Sequence, residues 1–298
     1  MIYTVTFNPA IDLFLDTDLN VGKLNRVRKE EYFVGGKGLN VSQVLQNLGD
    51  ESIATGFVGG FTGEYIRKEL AKIGISYELI ECEGNTRINV KVQSGDEPTE
   101  INLNGVMVNE ERFAELKAYL NGKLEKDDYL VISGNSARGL DETHFGELCA
   151  LANDKEANLV LDTNENYLQK LLSHKPLMIK PNIHELSGVL KKEITTDEEL
   201  EEAMKQLYED GIRYVVVSAG SKGAYLYNGK FHYVKAFKGR VINTIGAGDS
   251  MVAAFVHARK MGLDDEELLR YCVAAGSATS FSEGLCTQEE INELLNNN

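Results

Sequence analysis

Along the chain, short apolar runs alternate with stretches whose apolar residues recur at helical spacing. The runs that read as strands are IYTVTF (2–7), SIATGFV (52–58), DYLVIS (128–133), NLVLDT (158–163), LMIK (177–180) and RYVVVS (213–218). Helical spacing fills 40–48, 63–73, 109–121, 141–152, 164–173, 183–190 and 197–210, and beyond 236 it covers 247–261, 264–281 and 287–296. Strands this uniformly apolar need cover on both faces, so the pattern predicts an α/β fold with a mainly parallel sheet between helical layers. Ligands of such folds bind beyond the carboxyl ends of the strands. Two regions, 12–33 and 86–103, break the rhythm with short strand-like segments that have polar faces. TRINVKV (86–92) alternates and SGDEPT (94–99) is a turn signal. They predict a discontinuous β excursion, acting as a lid or a dimer contact, on one domain spanning 1–298.

Composition narrows the partners. At 43% hydrophobic and 26% charged the chain is ordinary for a globular protein, and no apolar stretch is long enough to span a membrane. The start MIYTVTFNPAID lacks the basic and apolar regions of a secretory signal, which leads to a cytoplasmic expectation. With 31 basic against 46 acidic residues the net charge is −15, which disfavours nucleic acid and anionic membrane as partners. Cys82, Cys149, Cys272 and Cys286 are far apart and form no C-x-x-C, so reduced thiols are expected rather than a zinc site or a disulfide framework.

The densest chemistry lies in NTIGAGDSMVAAF (243–255). Gly246 and Gly248 let backbone N–H groups converge on an anion, and the helix that follows offers a partly positive N-terminus. Asp249 opens that helix. It is either an N-terminal cap, worth about 1 kcal/mol, or a general base taking the proton of an alcohol that attacks a phosphoryl group. The segment is neither a P-loop nor a G-x-G-x-x-G fingerprint, and the first strand leads into NPAID rather than a dinucleotide turn, which argues against an oxidoreductase.

A second glycine-rich turn, FVGGKGLNV (33–41), carries Lys37, with Asn40 opening the next helix; Lys37 is either a solvated lysine on a tight turn or a cation facing an anionic ligand. Asp12, placed after the first strand, could accept hydrogen bonds from sugar hydroxyls or cap a turn. Arg87, in the β excursion, could grip a phosphate through two nitrogens or form a surface ion pair.

Taken together, GGKGLNV and NTIGAGDSMVAAF resemble the two signatures of the ribokinase-like, pfkB family of sugar kinases, in order and at the family's separation, and the similarity runs almost end to end. TVTFNPAID, LNRV, GFVGGFTG, TRINVKV, TEIN and KPNIHEL are similar to the branch that phosphorylates sugar phosphates, which includes the 1-phosphofructokinases and tagatose-6-phosphate kinases. The resemblance implies a three-layer α/β/α sandwich with a small β lid. It implies that Asp249 is the catalytic base, with Gly246, Ala247 and Gly248 as its anion hole. Asp12, Gly36, Lys37 and Asn40 would hold the sugar and Arg87 its phosphate, with Lys23 and Arg26 as further phosphate ligands. Lys180, Asn182, Ser218, Gly220 and Gly223 match nucleotide-contacting positions, and Ala275 to Ser277 would border the adenine. Asn182 and Glu185 match an N-x-x-E motif that organises Mg²⁺, through water, with the phosphates of ATP; K⁺ is a further candidate ion. The implied reaction carries a ketohexose phosphate to its 1,6-bisphosphate, with fructose 1-phosphate ahead of tagatose 6-phosphate and fructose 6-phosphate, and a homodimer through the lid is a candidate assembly. The alternative of another class is a sugar-phosphate or nucleotide sensor without catalysis. One departure falls near the sugar-phosphate end: SGNSARG (133–139) stands where the family has S-G-S-[LV]-P-x-G, so Arg138 becomes a candidate phosphate contact.

Overall fold

The six apolar runs pair into one sheet. The structure, a computed structural model, describes residues 1–95 and 97–297, so Asp96 of the SGDEPT turn lies outside the described residues. The first half of the chain forms β1 (Ile2–Thr6), β2 (Ala10–Asp16), β3 (Lys29–Gly35), α1 (Lys37–Asn47), β4 (Ile53–Val58), α2 (Gly60–Lys72), β5 (Ser76–Glu81), β6 (Arg87–Ser94), β7 (Glu97–Asn102) and α3 (Glu110–Lys123). There follow β8 (Tyr129–Ser133), α4 (Glu142–Asp154), β9 (Asn158–Asp162), α5 (Glu165–Leu171), β10 (Met178–Ile179), α6 (Ile183–Leu190), α7 (Asp197–Glu209) and β11 (Tyr214–Ser218). The chain closes with β12 (Ala224–Tyr227), β13 (Phe231–Val234), α8 (Ala247–Met261), α9 (Asp265–Phe281) and α10 (Gln288–Asn296).

Among the described residues the large sheet runs β13-β12-β11-β10-β9-β8-β1-β4-β5. It is parallel from β11 to β5, with β12 and β13 antiparallel at one edge. Its apolar runs are continuous because both faces are covered. Leu130 and Ile132 of β8 pack with Phe113 and Leu116 of α3 and Phe145 and Leu148 of α4. The intervening Val131 packs on the other side with Val41 and Val44 of α1, Val252 and Phe255 of α8 and Cys272 of α9. Each such side chain contributes about 1.5–3 kcal/mol by leaving water, and the alternation secures two layers from one run of sequence. The four cysteines are buried and unpaired.

The excursions at 12–33 and 86–103 form one second sheet, in the order β3-β2-β6-β7. β2 and β6 are parallel, with Asp12 opposite Asn89 and Phe14 opposite Lys91. Asp12 is therefore not at the end of the first strand; it is the third residue of β2, inside the lid sheet, which begins at Ala10. Three strands of the large sheet went unpredicted. β5 has weak alternation with exposed Glu78 and Glu81. The β12–β13 hairpin turns at Asn228–Gly229, where Gly229 has φ +103°, a legible hairpin signal between two aromatic-rich runs.

Candidate active site

Among the described residues seven helices, α3, α4, α5, α6, α7, α9 and α10, start on a side chain that accepts a hydrogen bond from their first turn. α1, α2 and α8 start instead on Gly36, Gly59 and Gly246 with no side-chain cap. The first-turn N–H groups of an uncapped helix need an acceptor from elsewhere. The starts of α1 and α8 converge on one cavity of about 480 Å³, at the carboxyl ends of the central strands and under the lid.

The glycines are demanded by geometry. Gly36 has φ +115°, and a Cβ there would come within 2.9 Å of Thr6 Cγ2. Gly246 has φ +80°, and its Cβ would meet Leu285 at 2.5 Å. α1 begins at Lys37, three residues before the predicted start, so Asn40 sits one turn in rather than at the helix mouth. α8 begins at Ala247, as the spacing predicts, which places Asp249 in its first turn; its cap residue is Gly246. The capping reading of Asp249 therefore falls. Ala247 N–H already donates to Thr244 O at 3.3 Å, whereas Gly248 and Asp249 N–H have no backbone partner among the described residues.

Asp249 is 5% exposed, and its Oδ2 accepts from Asn40 Nδ2 at 2.7 Å. Burial and the nearby anion of Asp162 push its carboxyl up to about 6, with Lys37, the Asn40 amide and Lys180 opposing. Asp162, at the end of β9, meets Lys37 Nζ and Lys180 Nζ, each at 3.3 Å. Burial would raise the Asp162 carboxyl, but Lys180 and Lys37 hold it below its ordinary value. The same Asp162 carboxylate drives Lys37 up, so its ammonium stays charged.

The lid supplies the opposite wall. Asp12 accepts from Asn89 Nδ2 at 2.9 Å and pairs with Lys91 Nζ at 3.5 Å, while the Lys91 ammonium lies 5.0 Å from the Phe14 ring centre. Arg87, Asn89 and Lys91 fall at alternate positions of β6 and line the cavity together. Arg87 Nε donates to Asn8 O at 3.2 Å, and its two outer nitrogens have no partner among the described residues. Burial holds its proton affinity below the ordinary arginine value, partly offset by Asp12. Thr6 Oγ1, Asn89 Oδ1 and Ser133 Oγ, on residues that line the cavity, are buried with no hydrogen-bond partner among the described residues.

Of the predicted site residues, Asp12, Gly36, Lys37, Asn40, Arg87, Lys180, Asn182, Glu185, Ser218, Gly246, Gly248 and Asp249 line the cavity. Lys23 and Arg26 do not: they are exposed on the connection between β2 and β3. Arg138 is also exposed and outside it, because its backbone bridges to Met107 and accepts from Val108 N, turning the side chain to solvent; Asn135 of the same loop lines the cavity instead. Gly220 and Gly223 lie outside it too. Gly223 is needed for packing, since a Cβ would stand 2.0 Å from Val234 O. Ala275 and Ser277 are buried on α9 away from the lining. The sequence reading missed Asp162, Asn89 and Lys91. An acid ending an apolar parallel strand, and polar residues at alternate positions of TRINVKV, were the signals that could have found them.

Asn182 and Glu185 form a reciprocal capping box at the start of α6, with Glu185 Oε2 accepting from Asn182 N and Asn182 Oδ1 accepting from Glu185 N, both at 2.8 Å. That leaves Glu185 one free carboxylate oxygen beside the cavity. No three His, Cys, Asp or Glu side chains cluster as a cage among the described residues. This donor set suits a hard divalent cation held by phosphate oxygens and water, with Glu185 as an outer partner.

A profile of the pfkB family carbohydrate kinases matches residues 5–292. The chain is 40% identical to a 1-phosphofructokinase of Bacillus subtilis, covering 99% of this chain and 97% of that one. It is 38% identical to a D-tagatose-1-phosphate kinase of Bacillus licheniformis, over 96% and 94% of the two chains. Among solved structures, phosphofructokinase-2 from Escherichia coli in complex with substrates and products aligns with a TM-score of 0.93 at 27% identity, covering 99% and 98%. No helix among the described residues is long and apolar enough to cross a membrane.

Proposed function

Because the chain belongs to the pfkB family of carbohydrate kinases, we propose that it transfers the terminal phosphoryl group of ATP to a ketohexose phosphate, foremost fructose 1-phosphate, giving fructose 1,6-bisphosphate. The observation that carries this reading is Asp249, a buried carboxylate beside the uncapped start of α8 and opposite a lid wall that ends in Arg87. Asp249 takes the proton of the attacking sugar hydroxyl, and Asn40 orients it. Gly248 and Asp249 N–H, with Gly246 setting the turn and Ala247 in the first turn, face the charge that develops on the transferred group. Gly36, Lys37 and Asp12 hold the sugar, and the free outer nitrogens of Arg87 hold its phosphate at the far end.

Lys180, Asn182 and Ser218 face the ATP phosphates. Asn182 and, through water, Glu185 would hold a Mg²⁺ ion there, which would supply neutralisation of the phosphate charge. K⁺ is a further ion whose effect the same assay reads. On this reading residues 1–298 act as one kinase unit with the lid, and a cytoplasmic location goes with ATP and a sugar phosphate as substrates. A second reading takes a tagatose phosphate as acceptor, on the strength of the similarity to the tagatose-phosphate kinase.

The lid also points to a homodimer. Its β2–β3 connection exposes Val21 at 93% and Leu24 at 83%. Beside it lies an open groove of about 500 Å³ containing Phe14, Phe33, Val241 and Ile242. A protruding apolar tip on the lid and a groove between the lid and residues 241–245 suit an isologous pair.

The test is ATP consumption, with and without Mg²⁺ and K⁺, on fructose 1-phosphate, fructose 6-phosphate, tagatose 1-phosphate and tagatose 6-phosphate. Fructose 1-phosphate is expected to give the highest kcat/KM. No turnover on any of the four overturns the reading.

A further inference from the structure

Asp162 is 2% exposed, and each of its oxygens meets a different lysine, Oδ2 with Lys37 and Oδ1 with Lys180. The two cations come from different segments of the chain. Lys37 opens α1, whose Asn40 holds Asp249 one turn further on. Lys180 follows β10, and its ammonium stands 3.0 Å from where a Cβ on Gly248 would lie, against the first turn of α8. Two ammonium groups gathered at one cavity floor repel unless an anion stands between them, and a buried carboxylate is costly unless it is paired. The same residue anchors the neighbouring loop: Asp162 O accepts from Gly134 N at 2.8 Å, and Thr163 Oγ1 donates to Gly134 O at 2.8 Å.

We propose that Asp162 is a positioning residue of phosphoryl transfer, a single fixed carboxylate that sets the Lys37 and Lys180 ammonium groups around the path of the phosphoryl group from donor to acceptor. The inference rests on the kinase reading above. Lys37 then stands on the acceptor side and Lys180 on the donor side. Neither has to be reoriented or stripped of water as charge moves between them, which is what preorganised electrostatic stabilisation requires. The carboxylate does a second thing: it is the anion that opposes ionisation of Asp249. The groups acting on Asp249 are Asp162 from β9, Lys37 and Asn40 from α1, and Lys180 from the segment after β10.

The experiment compares wild type and Asp162→Asn, a change of charge at nearly constant shape, in full pH profiles with ATP and the best sugar phosphate. The expected result is a kcat lower by about tenfold to a hundredfold, less than the roughly hundredfold to thousandfold for losing a direct donor, because Asp162 acts through the two lysines. The acid limb of the profile should also move to lower pH, because the anion opposing Asp249 is gone. A lowered rate with an unmoved acid limb is what a purely structural role gives, and it overturns the proposal. If Asp162→Asn does not fold, Lys180→Met is compared with Asp162→Asn/Lys180→Met, which removes the anion together with one cation. The acid limb must again move to lower pH in the variant lacking Asp162, and an unmoved limb overturns the proposal. Wild-type turnover separates the two readings. If no ketohexose phosphate is turned over, the proposed acceptor is wrong, and the same pH comparison is made on the slow hydrolysis of ATP, where the same shift supports the proposal and an unmoved limb overturns it.

Discussion

A carboxylate works well as a base near neutrality only when its surroundings lift it from the ordinary carboxylate range. Asp249 is lifted by burial and by the Asp162 anion, to about 6. The expected consequence is a kcat/KM that falls as pH is lowered, with its half-point near pH 6 and not near 4, measured on the unliganded enzyme's profile. Asp249→Asn should lower the rate by at least about 100-fold, as for loss of a general base, with ATP binding by calorimetry retained. The same substitution has a stability signature. A carboxyl whose folded value lies above its unfolded value binds more protons in the folded state, so the stability it contributes falls as pH rises between the two. Asp249→Asn should therefore raise Tm at pH 7.5, and the gain should vanish below about pH 4, where both states of the wild type are protonated. Equal melting temperatures at pH 7.5 would contradict the raised carboxyl. At this scale the sequence identified Asp249, Lys37, Asn40 and Arg87 correctly as cavity residues. It was silent on Asp162, because a strand-terminal acid looks the same whether it is solvated or clamped by two lysines.

At the scale of elements, the site is made by two helices that begin on glycine and converge. Each glycine is tied to a backbone conformation with positive φ and to a close neighbour, so neither tolerates a side chain. Gly36→Ala should strain the turn before α1 and displace Lys37 and Asn40 together. The expected outcome is a destabilisation greater than about 1 kcal/mol in urea unfolding, with turnover reduced even at temperatures where the variant is fully folded. Glycine-rich turns before helices were visible in the sequence, and α8 begins where the spacing put it, but the start of α1 was read three residues late. Glycine has poor helix propensity, and the pattern of apolar residues only begins once the helix enters the core. The N-x-x-E motif shows a related effect. Asn182 and Glu185 read as ligands, and the structure shows that they first satisfy each other as a capping box, leaving one carboxylate oxygen to act outward.

At the scale of the whole molecule, a chain of net charge −15 offers polyanions one cavity in which Lys37, Lys180, Arg87 and Lys91 are gathered. The lid that supplies Arg87 and Lys91 also carries the exposed Val21 and Leu24. Val21→Ser/Leu24→Ser should shift the protein to the monomer in sedimentation or light scattering; a wild type that is monomeric at all concentrations would remove the lid dimer. The sequence by itself determined the layered α/β class, the order of the central strands' apolar runs, the presence of a polar β excursion and the two glycine turns. These depend on periodicity and on backbone chemistry within a few residues, which are local. Only the tertiary structure decided how the strands of 12–33 and 86–103 pair, that Asp12 belongs to their sheet, that Arg138, Lys23 and Arg26 lie exposed outside the cavity lining, and that one buried aspartate stands between two lysines 143 residues apart in sequence. Those outcomes depend on which distant strands pair and which side chains share a low-dielectric space, and neither is written in the spacing of any single segment.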